Sequence, residues 1–255
     1  MKNLKDHIWL WGQTPGSHHI PDNYSLPGVN RMTPEEGLDF FGISNVCRVK
    51  METDGGKSFL TDMGLPGNAK RLCLSLVGAG DLADNDIEDI LTVAKTDSRV
   101  VSAIMDDFIS ELRMKLYPPE ELYRMKSRLH TEAGRKLDLW SVIYEHDLEK
   151  PIESRAQAFD LITFWTWHGN NLDVLAENFE RIKKISAGGR LMLGVYMYDY
   201  GNRCPLTDEA MLRQLEFVRE KFDAGEIEGM VLCSNCIADI GLSAVEVTRD
   251  WIAKL

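Results

Sequence analysis

The chain has 255 residues, 44% of them hydrophobic and 27% charged, with 29 Lys and Arg against 40 Asp and Glu, a formal net charge of −11. That composition belongs to a globular chain able to bury a large core, and the acidic balance argues against nucleic-acid binding and against adsorption to anionic membranes. Five cysteines, an odd and sparse set in a chain of this size, exclude a disulfide framework.

The N-terminus is basic, but the apolar run that follows is short and ends at Gly12-Gln13-Thr14. It is no signal peptide, and no stretch approaches the ~20 apolar residues of a membrane span. A cytoplasmic protein is expected, or a secreted one whose signal has been removed.

Short apolar runs then recur along the chain: His7–Trp11, Asn45–Met51, Arg71–Val77, Arg99–Met105, Leu137–Tyr144, Asp160–Trp165, Arg190–Met197 and Gly229–Cys233. Each reads as a strand. Helix signals fall between them. Thr33-Pro34-Glu35-Glu36 supplies an N-cap, a proline at the first helical position and first-turn acids. Further helices are expected over Asp84–Lys95, from Pro118 to about Glu132 with Gly134 as the stop, over Asn171–Ile185, from Leu206 to about Gly225, and over Ser243–Leu255. Eight strands alternating with helices in about 250 residues predict a parallel, single-domain (β/α)8 TIM barrel covering residues 1–255. The long loop Gly12–Met32 follows the first strand and is expected to form a lid or wall over the mouth, with His18, His19, Asp22, Asn23 and Tyr24 offering contacts.

In this fold the functional residues sit at the C-terminal ends of the strands. Here those ends carry Trp11 with His18 and His19, then Arg48 and Lys50, Asp106-Asp107, Glu145-His146, Trp165-Thr166-Trp167-His168, Tyr196-Met197-Tyr198-Asp199 and Asn235. The opposite ends carry Ser44, Lys70, Ser98 and Lys136, which read as solvated connections. Asp106, Asp107, Glu145 and Asp199 are the candidate catalytic carboxyls, since glycoside hydrolysis uses two across the scissile bond. Alternation along a strand suggests that one of the two adjacent aspartates enters the mouth squarely. Trp11, Trp165, Trp167 and Tyr198 are candidate platforms for sugar rings, Trp167 and Tyr198 foremost. His18, His19, His146, His168 and Asn235 are candidate polar contacts. Arg48 and Lys50, charged and mid-strand, are expected to point inward, toward ligand or toward Asp106 and Asp107.

The segments Ile104-Met105-Asp106-Asp107-Phe108, Ile162-Thr163-Phe164-Trp165-Thr166-Trp167 and Gly194-Val195-Tyr196-Met197-Tyr198-Asp199-Tyr200-Gly201 resemble those of glycoside-hydrolase-like TIM-barrel proteins. The resemblance implies an acid/base after the fourth strand, at Asp106 or Asp107, and a nucleophile after the seventh, at Asp199, although aspartates stand where glutamates are usual and the fourth-strand Asn-Glu pair is absent. It implies a small-molecule or oligosaccharide substrate and no cofactor. The competing reading is a metal-dependent sugar isomerase, epimerase or aldolase, with Asp107, Glu145, His146 and His168 around a divalent ion and Lys50 as a Schiff-base or polarising group. A third is a barrel that binds carbohydrate without acting on it. No phosphate-binding glycine motif is present.

Overall fold

A computed structural model describes residues 2–20, 23–80 and 84–255, and for Asn23 its backbone only. Eight strands, β1 (Ile8–Gly12), β2 (Asn45–Arg48), β3 (Arg71–Val77), β4 (Val100–Met105), β5 (Asp138–Tyr144), β6 (Leu161–Trp165), β7 (Arg190–Tyr196) and β8 (Met230–Cys233), form a closed barrel. All eight pairings are parallel, and Ile8 opposite Met230 closes β1 onto β8. This is the (β/α)8 TIM barrel the strand spacing predicts. The strands are buried on both faces, which is why they read as nearly continuous apolar runs.

Eight α-helices accompany them: α1 (Pro34–Phe41), α2 (Ile87–Thr96), α3 (Glu111–Leu116), α4 (Pro119–Thr131), α5 (Glu153–Ala156), α6 (Leu175–Ile185), α7 (Asp208–Asp223) and α8 (Ser243–Ile252). The cap chemistry sets several starts. Thr33 Oγ1 accepts from Glu36 N–H while Glu36 accepts from Thr33 N–H, a reciprocal capping box, and Gly42 ends α1 in the left-handed region. Asp86 caps α2 and Thr207 caps α7. Asp84, expected to open α2, instead accepts from Arg113 and Tyr117.

The helices are not dealt one per crossover. β4 to β5 contains α3 and α4, whereas β2 to β3 contains no α-helix, only a 3-10 turn at Glu52–Asp54 followed by loop. Two arginines satisfy that loop's carbonyls instead. Arg48 donates to Met63 O and Gly64 O, and Arg99 to Pro66 O, Gly67 O and Ala69 O. Buried carbonyls need such partners wherever regular structure does not supply them.

Inside the barrel, Trp9 of β1 meets Trp140 of β5 edge-on at 4.9 Å between ring centroids. One layer higher, Trp11 meets Trp165 of β6 at 5.4 Å. Gly194 of β7 makes the upper layer possible, because a Cβ there would lie 1.8 Å from the Trp165 ring. The interior is therefore packed below the level of Trp11, as barrel cores are. No helix among the described residues is long and apolar enough to cross a membrane.

Candidate active site

A cavity with about 490 Å³ of empty space opens at the C-terminal end of the strands. Its walls come from inward positions two residues apart on successive strands: Trp11 and Gln13, Val142 and Tyr144, Trp165 and Trp167, with Tyr196 and Cys233. Two-residue spacing keeps side chains on one face of a strand, so the barrel parity carries directly into the site.

Asp106 and Asp107 follow β4 and both line this cavity. Asp107 has a φ of 43°, an uncommon and costly conformation for a residue with a side chain. That turn brings consecutive carboxyls to one place rather than to opposite faces. Asp106 is 3% exposed and accepts from the Asp107 amide at 2.8 Å. Asp107 accepts from Gly80 N–H at 3.3 Å. The phenol of Tyr144 donates to both, at 3.1 Å to Asp107 and 3.4 Å to Asp106. Burial, and for Asp106 the neighbouring Asp107 charge, push both carboxyls above the usual carboxylate range, Asp106 furthest. Burial and the two carboxyls together push the Tyr144 phenol up as well, so it stays protonated and donating. Arg113 of α3, 1% exposed, fixes this corner from behind by donating to Asp106 O, Gly78 O and Asp84.

The aromatic walls pack as a set. Trp167 stacks on Tyr200 at 5.5 Å and 24°, and Tyr196 meets both Trp165 and Trp167. Gln13, His18 and Tyr24 of the long β1–α1 loop complete the wall. His18 is hydrogen-bonded to Tyr200 at 2.7 Å and to Gln13, and Tyr24 packs edge-on to Tyr200. Burial pushes the His18 imidazole down to about 3, so it is neutral at ordinary pH. Both ends of this loop are tied to the segment after β8. Asn235 exchanges hydrogen bonds with the Gln13 backbone and also donates to Met32 O, while Asp239 accepts from the amides of Arg31 and Met32. Pro21 and Asp22 lie outside the described residues.

The structure thus brings Trp11, His18, Asp106, Asp107, Trp165 and Trp167 together, and places the other expected site residues elsewhere. Glu145 has the opposite parity to Tyr144. Its carboxylate accepts from the amides of Trp167 and His168, the His168 imidazole and the Asn171 side chain, at 2.8–3.2 Å. Burial pushes it up, but these donors outweigh burial and hold it below the usual range. It clamps the β6 loop as an ionised carboxylate and does not face the cavity. Asp199 accepts from the backbone and side chain of Asn202, shaping the turn after β7. Neither of these two acids is among the residues that line the cavity.

Arg48 ties Gly12 O, Val49 O, Met63 O and Gly64 O, and Lys50 approaches Asp84 O at 3.5 Å, so neither reaches the aspartates. Tyr198 donates to Tyr24 O, Asn235 locks the loop, His19 approaches Pro27 O and His168 serves Glu145. His146 stacks face-on against Tyr144 at 5.1 Å, beside the main cavity. It lines a second cavity, with Gly80, Asp107, Ile109, Ser110, Tyr144, Asp147 and Lys150, that holds about 550 Å³ of empty space. Gln13 and Tyr144, not named from the sequence as site residues, continue the inward parity of Trp11 and Val142, Gln13 one residue past its strand end.

A metal centre at the mouth is not assembled from the expected residues. Among the described residues, the histidine and carboxylate group within mutual ligating reach is His130, Asp138 and Asp160, at the opposite end of the barrel. There Lys126, Lys136 and Arg190 already neutralise the acids.

No protein-family model matches the sequence, and no curated protein is similar to it in sequence. Solved structures are similar in fold. A glycoside hydrolase family 18 N-acetylglucosaminidase from Paenibacillus barengoltzii superposes with a TM-score of 0.54 at 9% identity, over 95% of this chain and 98% of its own. The ICChI chitinase from Ipomoea carnea gives 0.50 at 14% identity, with the same coverage of 95% and 98%. A mutant tryptophan synthase α-subunit from Pyrococcus furiosus gives 0.51 at 12% identity, over 99% of both chains. At such identities the likeness is one of fold: the chain has the TIM-barrel architecture used by glycoside hydrolases and by barrel enzymes of other chemistries.

Proposed function

We propose that the chain is a glycoside hydrolase that cleaves 2-acetamido sugars with a single carboxyl pair. The carrying observation is that, among the described residues, Asp106 and Asp107 are the acids lining the cavity, and one phenol hydrogen-bonds both. Two buried carboxyls joined through one phenol share a proton, so one stays neutral where an isolated aspartate would be ionised. A neutral carboxyl in an aromatic cavity suits a general acid. Asp107, nearer the opening, is the group that meets substrate, and Asp106 behind it keeps the proton in place.

Both carboxyls lie on one side, and among the described residues no second acid lines the cavity across from them. Substrate-assisted hydrolysis does without one. The carbonyl oxygen of the sugar's own acetamido group attacks the anomeric carbon as the C–O bond to the leaving group breaks. Asp107 passes its proton to the departing oxygen. Water then attacks the same carbon, gives a proton back to the carboxylate, and restores the acetamido group. The names of two fold neighbours, a chitinase and an N-acetylglucosaminidase, agree with this sugar. The aromatic walls supply apolar faces for the ring, and the neutral Gln13–His18–Tyr200 chain supplies hydrogen bonds without charge.

The test uses N,N′-diacetylchitobiose. Asp107→Asn lowers its hydrolysis on the order of 10³-fold, within the range of general acid catalysis, and lowers that of an aryl glycoside with a good leaving group far less. The corresponding disaccharide with 2-hydroxyl groups in place of acetamido groups is not cleaved. Equal cleavage of both sugars, or an Asp107→Asn protein as active as the parent, refutes the proposal.

A further inference from the structure

We infer that the cavity is a blind pocket for one terminal sugar residue, so that the protein removes units from a chain end and seats the leaving group in the second cavity; this rests on the hydrolase reading above. The lining residues divide by exposure. Tyr24, Met51, Ala79, Asp107, Tyr144 and Trp167 are half-buried and form a rim that runs from the β1 loop round to β6. Tyr196, Tyr200 and Cys233, on the β7 and β8 side, are buried, as are Gln13 and His18 of the wall that covers them.

That side is closed by construction. Asn235 and Asp239, from beyond β8, hold the loop down through backbone hydrogen bonds at both of its ends. The floor is closed too, since the Trp11–Trp165 contact lies above the Trp9–Trp140 contact. A polysaccharide threading the site would need openings on two sides of the carboxyl pair. Among the described residues, the half-buried lining forms one continuous rim.

Past the rim, Asp107 and Tyr144 belong to both cavities, so the second begins at the proposed acid. Its lining mixes Ile109 and the Tyr144 ring with the polar side chains of Ser110, His146, Asp147 and Lys150, with Lys150 already paired to Asp147 at 2.7 Å. A neutral, hydroxyl-rich leaving group suits that surface, and its oxygen would depart beside Asp107.

Two N-acetylchitotetraoses test this by tryptophan-fluorescence binding and by product analysis: one free, one carrying a 4,6-O-benzylidene cap on its non-reducing terminal sugar. The free tetramer binds and releases N-acetylglucosamine first, leaving the trimer. The capped tetramer binds at least 100-fold more weakly and is not cut. If the capped sugar binds as well as the free one, or is cut internally, the blind-pocket inference falls while the hydrolase reading stands. If neither tetramer binds, the sugar proposed above is wrong and the inference falls with it.

Discussion

Asp106 and Asp107 close β4, and Glu145 closes β5, its neighbour in the barrel. All three are carboxyls at the mouth, Asp106 and Glu145 both almost fully buried, yet they are prepared for opposite states. Glu145 has three N–H donors on one oxygen and another on the second, and is held ionised. Asp106 and Asp107 each have one backbone amide and a share of one phenol, and burial pushes both above the usual carboxylate range. Position at a strand end marks a carboxyl as a candidate. The donors around it decide whether it can move a proton or only hold a loop.

The comparison breaks most visibly in stability. Glu145→Ala leaves the Trp167 and His168 amides without their acceptor and costs on the order of 3 kcal/mol, read as a fall in urea midpoint at pH 7. Asp106→Asn keeps an acceptor for the Asp107 amide and moves the other way. The folded-state pKa of Asp106 lies above its unfolded value, so its contribution is full below about 3.9 and is lost as pH rises through the folded value. The asparagine protein avoids that loss and should match or exceed the parent by about 1 kcal/mol at pH 7, with the gap closing toward pH 4. The folded pKa of Glu145 is depressed, so its contribution is present above about 4.3 and fades as pH falls through the folded value. Parallel shifts in the two variants would erase the distinction.

A smaller effect sharpens it. Tyr144→Phe removes the donor that favours the ionised pair. The carboxyls then rise further, and the alkaline limb of the kcat/KM profile on N,N′-diacetylchitobiose moves to higher pH, with about a tenfold loss at the optimum. An unmoved limb would mean that Tyr144 only packs.

Much of this was readable from alternation and length. The eight apolar runs fall within a few residues of the strands because both-face burial leaves little else in them. The short helices α3 and α5 carry no apolar stripe long enough to see, and the helix-free β2–β3 connection depends on Arg48 and Arg99 finding carbonyls far along the chain. In the site, inward parity leads from Trp9 to Trp11 and Gln13, from Val142 to Tyr144 and from Gly194 to Tyr196. It turns Glu145 away, and Arg48 as well, against the expectation that a charged mid-strand side chain points inward. Asp107 defies parity because its backbone turns at positive φ, and Asn235 and Tyr198 were unreadable because their partners lie in a loop more than 170 residues away.

The central claim is that one proton is shared in the aspartate pair at neutral pH. Carboxyl-carbon NMR of protein labelled with 13Cγ-aspartate, titrated from pH 3 to 9, tests it directly. The account predicts aspartate resonances that titrate well above the usual value of about 3.9 and that disappear or shift together in Asp106→Asn and Asp107→Asn. Every aspartate carbon titrating at or below about 4 in the folded parent would contradict it.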